Sequence, residues 1–287
     1  MENHPPGNKN IAIVYHPMAG KGKAVAVVEH LVEKLRGLGI SFVVFRDESP
    51  EDFEAFSSVW LVGGDGTLNY FINKYPSISV PIALFKGGTG NDFAWKLYGE
   101  RTVDEYFDVA LNGAPKKVDA GICNGRYFIN GVGIGFDGDV VQSMGTEKIL
   151  SGHLAYLLVV LKKILLYREK KVHVESEKMI WKGKLFMLTV ANGSRYGGGF
   201  LVAPHAIIND GKLDVVLIKR ISPMLRFFYL PAVEKGRHLS LRFVEIQTSK
   251  KITVTAQENL SAHLDGEFMK SPQFIIEIKE KWFSFLY

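Results

Sequence analysis

The residues best suited to chemistry lie in Gly63-Gly64-Asp65-Gly66-Thr67, directly after the apolar run Val59-Trp60-Leu61-Val62. Glycines around one carboxylate, where a strand ends, form a turn whose backbone can approach a large anion with no Cβ in the way. Asp65 is its one charge. Taken singly, the stretch is as readily an ordinary strand-to-helix turn, because glycine and aspartate dominate turns. A second glycine-rich run, Lys86-Gly87-Gly88-Thr89-Gly90-Asn91-Asp92-Phe93, follows the next apolar segment, and His16-Pro17-Met18-Ala19-Gly20-Lys21-Gly22-Lys23 follows the first. In open α/β sheets ligands bind at the carboxyl ends of strands, so three such loops together favour a phosphate-bearing ligand over plain turns.

The His16 to Lys23 loop is not a P-loop. That motif needs Gly-x-x-x-x-Gly-Lys-Ser/Thr, and here Pro17 stands where the first glycine belongs and Ala24 where the magnesium-binding hydroxyl belongs. Backbone N–H groups at a helix N-terminus, with Lys21 and Lys23 near, can still hold phosphate. Further along, Asn209-Asp210-Gly211-Lys212-Leu213-Asp214 and His263-Leu264-Asp265-Gly266-Glu267 each place two carboxylates about a turn, and each alone reads most simply as a hairpin. Asn192-Gly193-Ser194-Arg195-Tyr196-Gly197-Gly198-Gly199 is costlier in conformational entropy, so its backbone has a specific task. His16, His205 and His263 are scattered, with no metal-ligand spacing and no nucleophile elbow.

The elements that must position these residues fall into two halves. Asn10 to Tyr15 reads as a buried parallel strand, followed by a helix with Val25, Val28, Leu31, Val32, Leu35 and Leu38 on one face. Strands are expected at Ile40–Phe45, Val59–Val62 and Val80–Phe85, with helices at Pro50–Phe56, from Thr67 to near Asn73, and over Val103–Leu111. Strands alternating with helices predict a doubly wound parallel sheet. From Lys116 the pattern changes to strand after strand: Lys116–Cys123 and Arg126–Asn130 about a primed Asn124-Gly125 turn, then Lys171–Ser176, Leu185–Asn192, Leu213–Lys219, Leu241–Gln247, Lys251–Ala256 and Phe274–Ile278. Helices are expected at Glu147–Tyr167 and about Pro223–Glu234. The expectation is a nucleotide-binding α/β domain over 1–118 and an antiparallel β-sandwich over 119–287.

Composition agrees with a globular chain of 287 residues, large enough for two cores. Its 35 basic and 30 acidic residues leave a net charge of +5, which favours phosphates or an anionic surface. The basic residues are not clustered as in a nucleic-acid binder. Cys123 is the single cysteine, which excludes an internal disulfide and fits a cytoplasmic location. The polar N-terminus has no signal-peptide core. The apolar stretch Leu154 to Leu166 is too short to span a bilayer and carries Lys162 and Lys163, so the chain is expected to be soluble or to sit on a surface.

Gly63-Gly64-Asp65-Gly66-Thr67-Leu68-Asn69, Gly88-Thr89-Gly90-Asn91-Asp92-Phe93-Ala94, Asn209-Asp210-Gly211 and Leu264-Asp265-Gly266-Glu267, in that order, resemble the diacylglycerol kinase catalytic family, which includes bacterial soluble lipid kinases and sphingosine and ceramide kinases. The resemblance implies an NAD kinase-like Rossmann domain, a C-terminal β-sandwich, ATP bound in the cleft between them, and Mg2+. It implies nucleotide contacts at Pro17, Gly20, Gly63, Gly64, Gly66, Thr67, Gly88, Thr89 and Asn91. Catalysis would fall to Asp65, to Glu267 as general base for a lipid hydroxyl, and to Asp265 beside it. A structural Mg2+ would rest on Asp210, the Leu213 carbonyl and Asp214, and Asp119 falls near a carboxylate that joins the metal's water network. His16-Pro17 replaces the family's usual Asn-Pro, and Tyr70 replaces a common Glu. A lipid at the membrane surface is the implied partner, with peripheral contact at the inner face through the basic, apolar Leu154–Leu166 helix. An exposed sandwich edge could pair two chains. The rival readings are an NAD kinase-like small-molecule kinase and a catalytically silent nucleotide- or lipid-binding module.

Overall fold

The computed structural model describes residues 9–47, 49–146 and 153–287. The described residues form two compact units, one up to Val118 together with Phe283–Tyr287, the other within Asp119–Trp282.

In the first unit, β1 (Asn10–Tyr15), β2 (Ser41–Arg46), β3 (Ser58–Gly63) and β4 (Ile82–Lys86) form a parallel sheet in the order β2-β1-β3-β4. Every residue of β3 up to Val62 is buried, as expected of a strand covered on both faces. β2 is the edge strand, exposed except at Phe42 and Phe45, which are half-buried. The helices are α1 (Lys23–Gly37), α2 (Asp65–Lys74), α3 (Asp92–Tyr98) and α4 (Val103–Asn112). α4 begins with a capping box in which Thr102 and Glu105 satisfy each other's backbone N–H. The core centres on Trp60, whose ring lies 5.2 Å from that of Phe85 and 5.4 Å from that of Phe107. One local expectation is corrected. Pro50–Phe56 is not a helix: Asp52 accepts from the Glu54 N–H, and Phe53 anchors the turn against Phe71 and Tyr75. Such a short segment gains more from that aromatic anchor than from one helical turn. The α3 helix is an addition to the expected elements: it follows the second glycine loop directly, starting at Asp92.

The second unit holds most of a β5–β6 hairpin (Pro115–Cys123, Arg126–Phe128), β7 (Gly131–Gly135), β8 (Lys170–Ser176), β9 (Met179–Ala191), β10 (Leu213–Lys219), β11 (Val244–Ser249), β12 (Lys251–Leu264) and β13 (Glu267–Leu286) up to Trp282, the first residues of β5 and the last of β13 belonging to the first unit. Antiparallel pairing gives the order β11-β10-β9-β7-β12-β13, with β8 bonded to both β9 and β12. Asn124 and Gly125 both have positive φ, as the primed turn requires. One core joins Phe128, Leu188, Leu217, Val254 and Phe274. A second packs Phe136, Val159, Val160 and Ile164 against Phe186, Met187, Val216 and Ile218. It seats α5 (Phe136–Thr146) and α6 (His153–Ile164) on β9 and β10, and α7 (Pro223–Glu234) lies beside α6. The expected Glu147–Tyr167 helix is therefore shorter, ending at Ile164, and residues 147–152 of it lie outside the described residues. β7 and α5 were hidden by the glycine spacing of Gly131-Val132-Gly133-Ile134-Gly135, which imitates a loop. Gly131 is small because a Cβ there would lie 1.6 Å from the Tyr196 hydroxyl.

Candidate active site

In the first unit the three strand-end loops meet. The Gly87 N–H donates to the Gly63 carbonyl at 2.9 Å. A Cβ on Gly88 would lie 2.3 Å from Gly64 Cα, and one on Gly20 would lie 2.1 Å from the Gly87 oxygen. A Cβ on Gly64 would likewise lie 2.9 Å from Gly88 Cα, so no side chain fits between these loops and Gly20, Gly64 and Gly88 are explained together. Gly20, Lys21 and Gly22 all have positive φ in the short 3-10 turn that leads into α1.

Asp65 begins α2, yet its carboxylate serves the neighbouring loop. Its Oδ2 accepts from the Asp92 N–H at 2.9 Å, and its Oδ1 accepts from the Phe93 N–H at 3.0 Å. Gly90 is required beside it, since a Cβ would come within 2.5 Å of Oδ2. Asn91, in left-handed conformation, closes the same loop by accepting from the Gly88 N–H and donating to the Gly88 carbonyl. The Thr67 side chain packs against Gly63, while Thr89 is exposed. Asp65, Gly63, Gly64, Gly88, Asn91 and Gly20 are thus brought together, with backbone groups lining the arrangement. Pro17 lies in the first loop, where His16 Nδ1 accepts from the Met18 N–H. Gly66 and Tyr70 are exposed on α2.

In the second unit Asp265 and Glu267 part company. Asp265 is buried with positive φ at the tip of the β12–β13 hairpin. Its carboxylate accepts three consecutive backbone N–H groups, from Ile129 at 2.8 Å, Asn130 at 3.0 Å and Gly131 at 2.8 Å. Glu267 is exposed at the first position of β13. Between them the Gly266 N–H donates to His263 Nδ1 at 3.2 Å. His263 Nε2 lies 2.8 Å from Asp137 Oδ2 in a fully buried pair. Burial alone would depress the His263 pKa; the charge and hydrogen bond of Asp137, aided by Asp265, outweigh it and raise it. Spacing gave no sign of this pair, since Asp137 and His263 are far apart in sequence. The one local hint is Gly133, where a Cβ would strike both side chains.

Asp119 is fully buried, its carboxylate accepting from the Gly211 N–H at 2.7 Å and the Lys281 N–H at 2.6 Å. It fixes the turn that carries Asp210. Asp210 is exposed and accepts from the Lys212 N–H at 3.1 Å. The Leu213 side chain is buried in the core, and Asp214 lines a separate cavity with His205 and Gln247. Among the described residues no three His, Cys, Asp or Glu side chains group together as a metal cage. The Asn192–Gly199 loop has a structural explanation: Gly193 leaves room for Asn130 Oδ1, and Gly197 and Gly198 make a positive-φ turn.

Two family profiles cover this chain: the diacylglycerol kinase catalytic domain over residues 10–123, and the YegS C-terminal NAD kinase beta sandwich-like domain over residues 130–281. A diacylglycerol kinase of Bacillus subtilis is 24% identical over 274 residues, 91% of this chain and 90% of its own. Among solved structures, a Bacillus anthracis chain assigned as a diacylglycerol kinase aligns with TM-score 0.81 at 21% identity, covering 100% of this chain and 98% of its own. An NAD kinase from Archaeoglobus fulgidus, in complex with ATP, aligns with TM-score 0.56 at 17% identity, covering 97% and 93%. These likenesses fit the mixed α/β first unit and the sheet-rich second one.

Proposed function

The chain belongs to the diacylglycerol kinase family, and from that premise we propose how an ATP-dependent lipid kinase is built from its residues. Phosphoryl transfer asks little covalent chemistry of a protein: it must hold the triphosphate, neutralise charge and orient an acceptor hydroxyl. ATP rests on the loops carrying Pro17, Gly20, Gly63, Gly64, Gly66, Thr67, Gly88, Thr89 and Asn91, whose backbone N–H groups supply the cradle. The observation that carries this assignment is the Asp65 carboxylate joined to the Asp92 and Phe93 N–H groups, which locks two glycine loops into one surface.

Asp65 also fits magnesium, an ion usually held by one or two carboxylates together with substrate phosphates rather than by an all-protein cage. The Asp92 and Phe93 N–H groups hold the two Asp65 oxygens in place, which fixes the direction in which the carboxylate faces the loops. When bound, Mg2+ would neutralise phosphate charge there. Asp210, with the Leu213 carbonyl and Asp214, is assigned to a second, structural ion. Glu267 takes the proton of the lipid hydroxyl, while Asp265, satisfied by three N–H groups, holds the turn that presents it. The acceptor is diacylglycerol or a related lipid alcohol, met at the cytoplasmic face of a membrane. No helix among the described residues is long and apolar enough to cross one.

The test is transfer of labelled γ-phosphate from ATP and Mg2+ to a panel of lipid alcohols in mixed micelles, with NAD as a parallel acceptor. Product on lipid and none on NAD is expected. Phosphorylated NAD without lipid product would return the rival small-molecule reading.

A further inference from the structure

Helix α7 presents an apolar surface that stays exposed among the described residues. Met224 is 68% exposed, Leu225 44% and Phe228 76%. No charged residue lies between Pro223 and Val233 except Arg226, and that one is buried and turned inward. Its guanidinium donates to the Ile164 carbonyl at 2.7 Å and the Tyr167 carbonyl at 3.0 Å, and pairs with Glu169 at 2.6 Å. Between those two carbonyls sit Leu165, 44% exposed, and Leu166, 73% exposed. Arg226 therefore clamps the apolar start of α7 to the apolar end of α6 and sets their exposed side chains in one neighbourhood. Monomeric surfaces rarely leave such a patch bare without a use for it.

The rim is basic. Leu166 and Tyr167 line a broad cleft with Lys162, Lys163, Arg168, Lys170 and Lys270, against which stand the acids Asp139 and Glu258, the latter paired with Lys170. Leucine and phenylalanine on one side with lysine and arginine beside them is the pattern of an element that lies in a membrane interface.

We propose that the Leu165–Leu166 end of α6 and the Met224–Phe228 face of α7 dock on the surface of an anionic phospholipid bilayer, the side chains entering it and the basic rim meeting its phosphates. The proposal rests on the lipid-acceptor reading above and names where that lipid is met. A second copy of the chain is a poorer occupant, because two basic rims brought together repel.

The test is flotation with vesicles of phosphatidylcholine alone or of equal parts phosphatidylcholine and phosphatidylglycerol. The chain should float with the mixed vesicles and less so as salt rises. The L166S/F228S variant should lose roughly tenfold or more of its partitioning, from apolar insertion alone. Both side chains are exposed, so its melting should be unchanged, and its turnover on a monomeric short-chain lipid should stay while turnover on vesicles falls. A Phe228→Cys variant carrying an environment-sensitive dye gives an independent reading: the buried Cys123 thiol, pushed up to about 12 by burial, stays unlabelled. The dye should shift to the blue on mixed vesicles. Equal partitioning of wild type and L166S/F228S, a wild type that never floats, or a dimer that F228S alone dissolves would each overturn the proposal. Flotation without phosphorylation of any lipid would instead sink the kinase acceptor reading and leave the docking surface standing.

Discussion

Asp65 Oδ2 accepts a hydrogen bond from the backbone N–H of Asp92 at 2.9 Å, across the gap between two glycine loops. The carboxylate that looks from its motif like a lone metal ligand is also a structural clamp. Asp65→Asn keeps one acceptor but turns an amide N–H toward a backbone N–H. Hydrogen bonds to a charged group are worth about 1.5–3 kcal/mol each, so melting should fall by several degrees and turnover with it. Differential scanning calorimetry beside a kinase assay checks both. A variant with lost turnover and an unchanged Tm would show that Asp65 acts on the ligand alone.

The glycine loops predict a graded series. Gly88→Ala places a methyl 2.3 Å from Gly64 Cα, backbone against backbone, with no flexible side chain to yield. Gly22→Ala meets open space and suffers only its φ of +92. ATP affinity by titration calorimetry should therefore fall much more in Gly88→Ala than in Gly22→Ala. Equal losses would mean that strain, not loop contact, sets the cradle.

Asp265 and Glu267 should separate cleanly. Asp265→Ala strands three buried N–H groups, each costing roughly 1–3 kcal/mol, and should unfold or severely destabilise the second unit. Glu267→Gln should leave melting unchanged and reduce kcat by about 10² to 10⁴, the usual worth of a general base. Urea unfolding of the two variants distinguishes them.

The His263–Asp137 pair predicts a pH dependence with a definite sign. Its folded pKa stands above the unfolded one, so its stabilisation is complete below the unfolded imidazole range and is lost as pH rises through the folded value. The Tm advantage of wild type over His263→Gln should shrink as pH rises above the ordinary imidazole range. Asp137→Asn should flatten that trend. Because Nδ1 accepts from Gly266, a proton placed there displaces that N–H, and the Gly266 amide signal should titrate with the ring. An amide shift constant across the range would place the proton elsewhere.

Much of the fold was legible because its signals are local. β1, β10 and α7 follow from unbroken apolar runs and a proline start, and the Asn124-Gly125 hairpin from turn chemistry. The strand-end loops stand out by residue type, whereas the two acidic turns alone read as hairpins and gain a role only from the family resemblance. The interior partnerships were not legible: Asp65 with Asp92 and Phe93, Asp265 with Ile129 to Gly131, and Asp119 with Gly211 and Lys281. Each joins segments distant in sequence through backbone N–H groups, which carry no side-chain signature. β7 escaped for a related reason, its glycines being set by Tyr196, Asp137 and His263 rather than by any turn.

The most direct measurement is the rate of γ-phosphate transfer from ATP to diacylglycerol in Mg2+-containing mixed micelles, for wild type and Glu267→Gln at matched folded concentration. The account predicts phosphatidic acid from wild type and a rate lower by about 10² or more in the variant. Equal rates in the two would contradict Glu267 as the base, and no product on diacylglycerol or any related lipid alcohol would contradict the assigned acceptor.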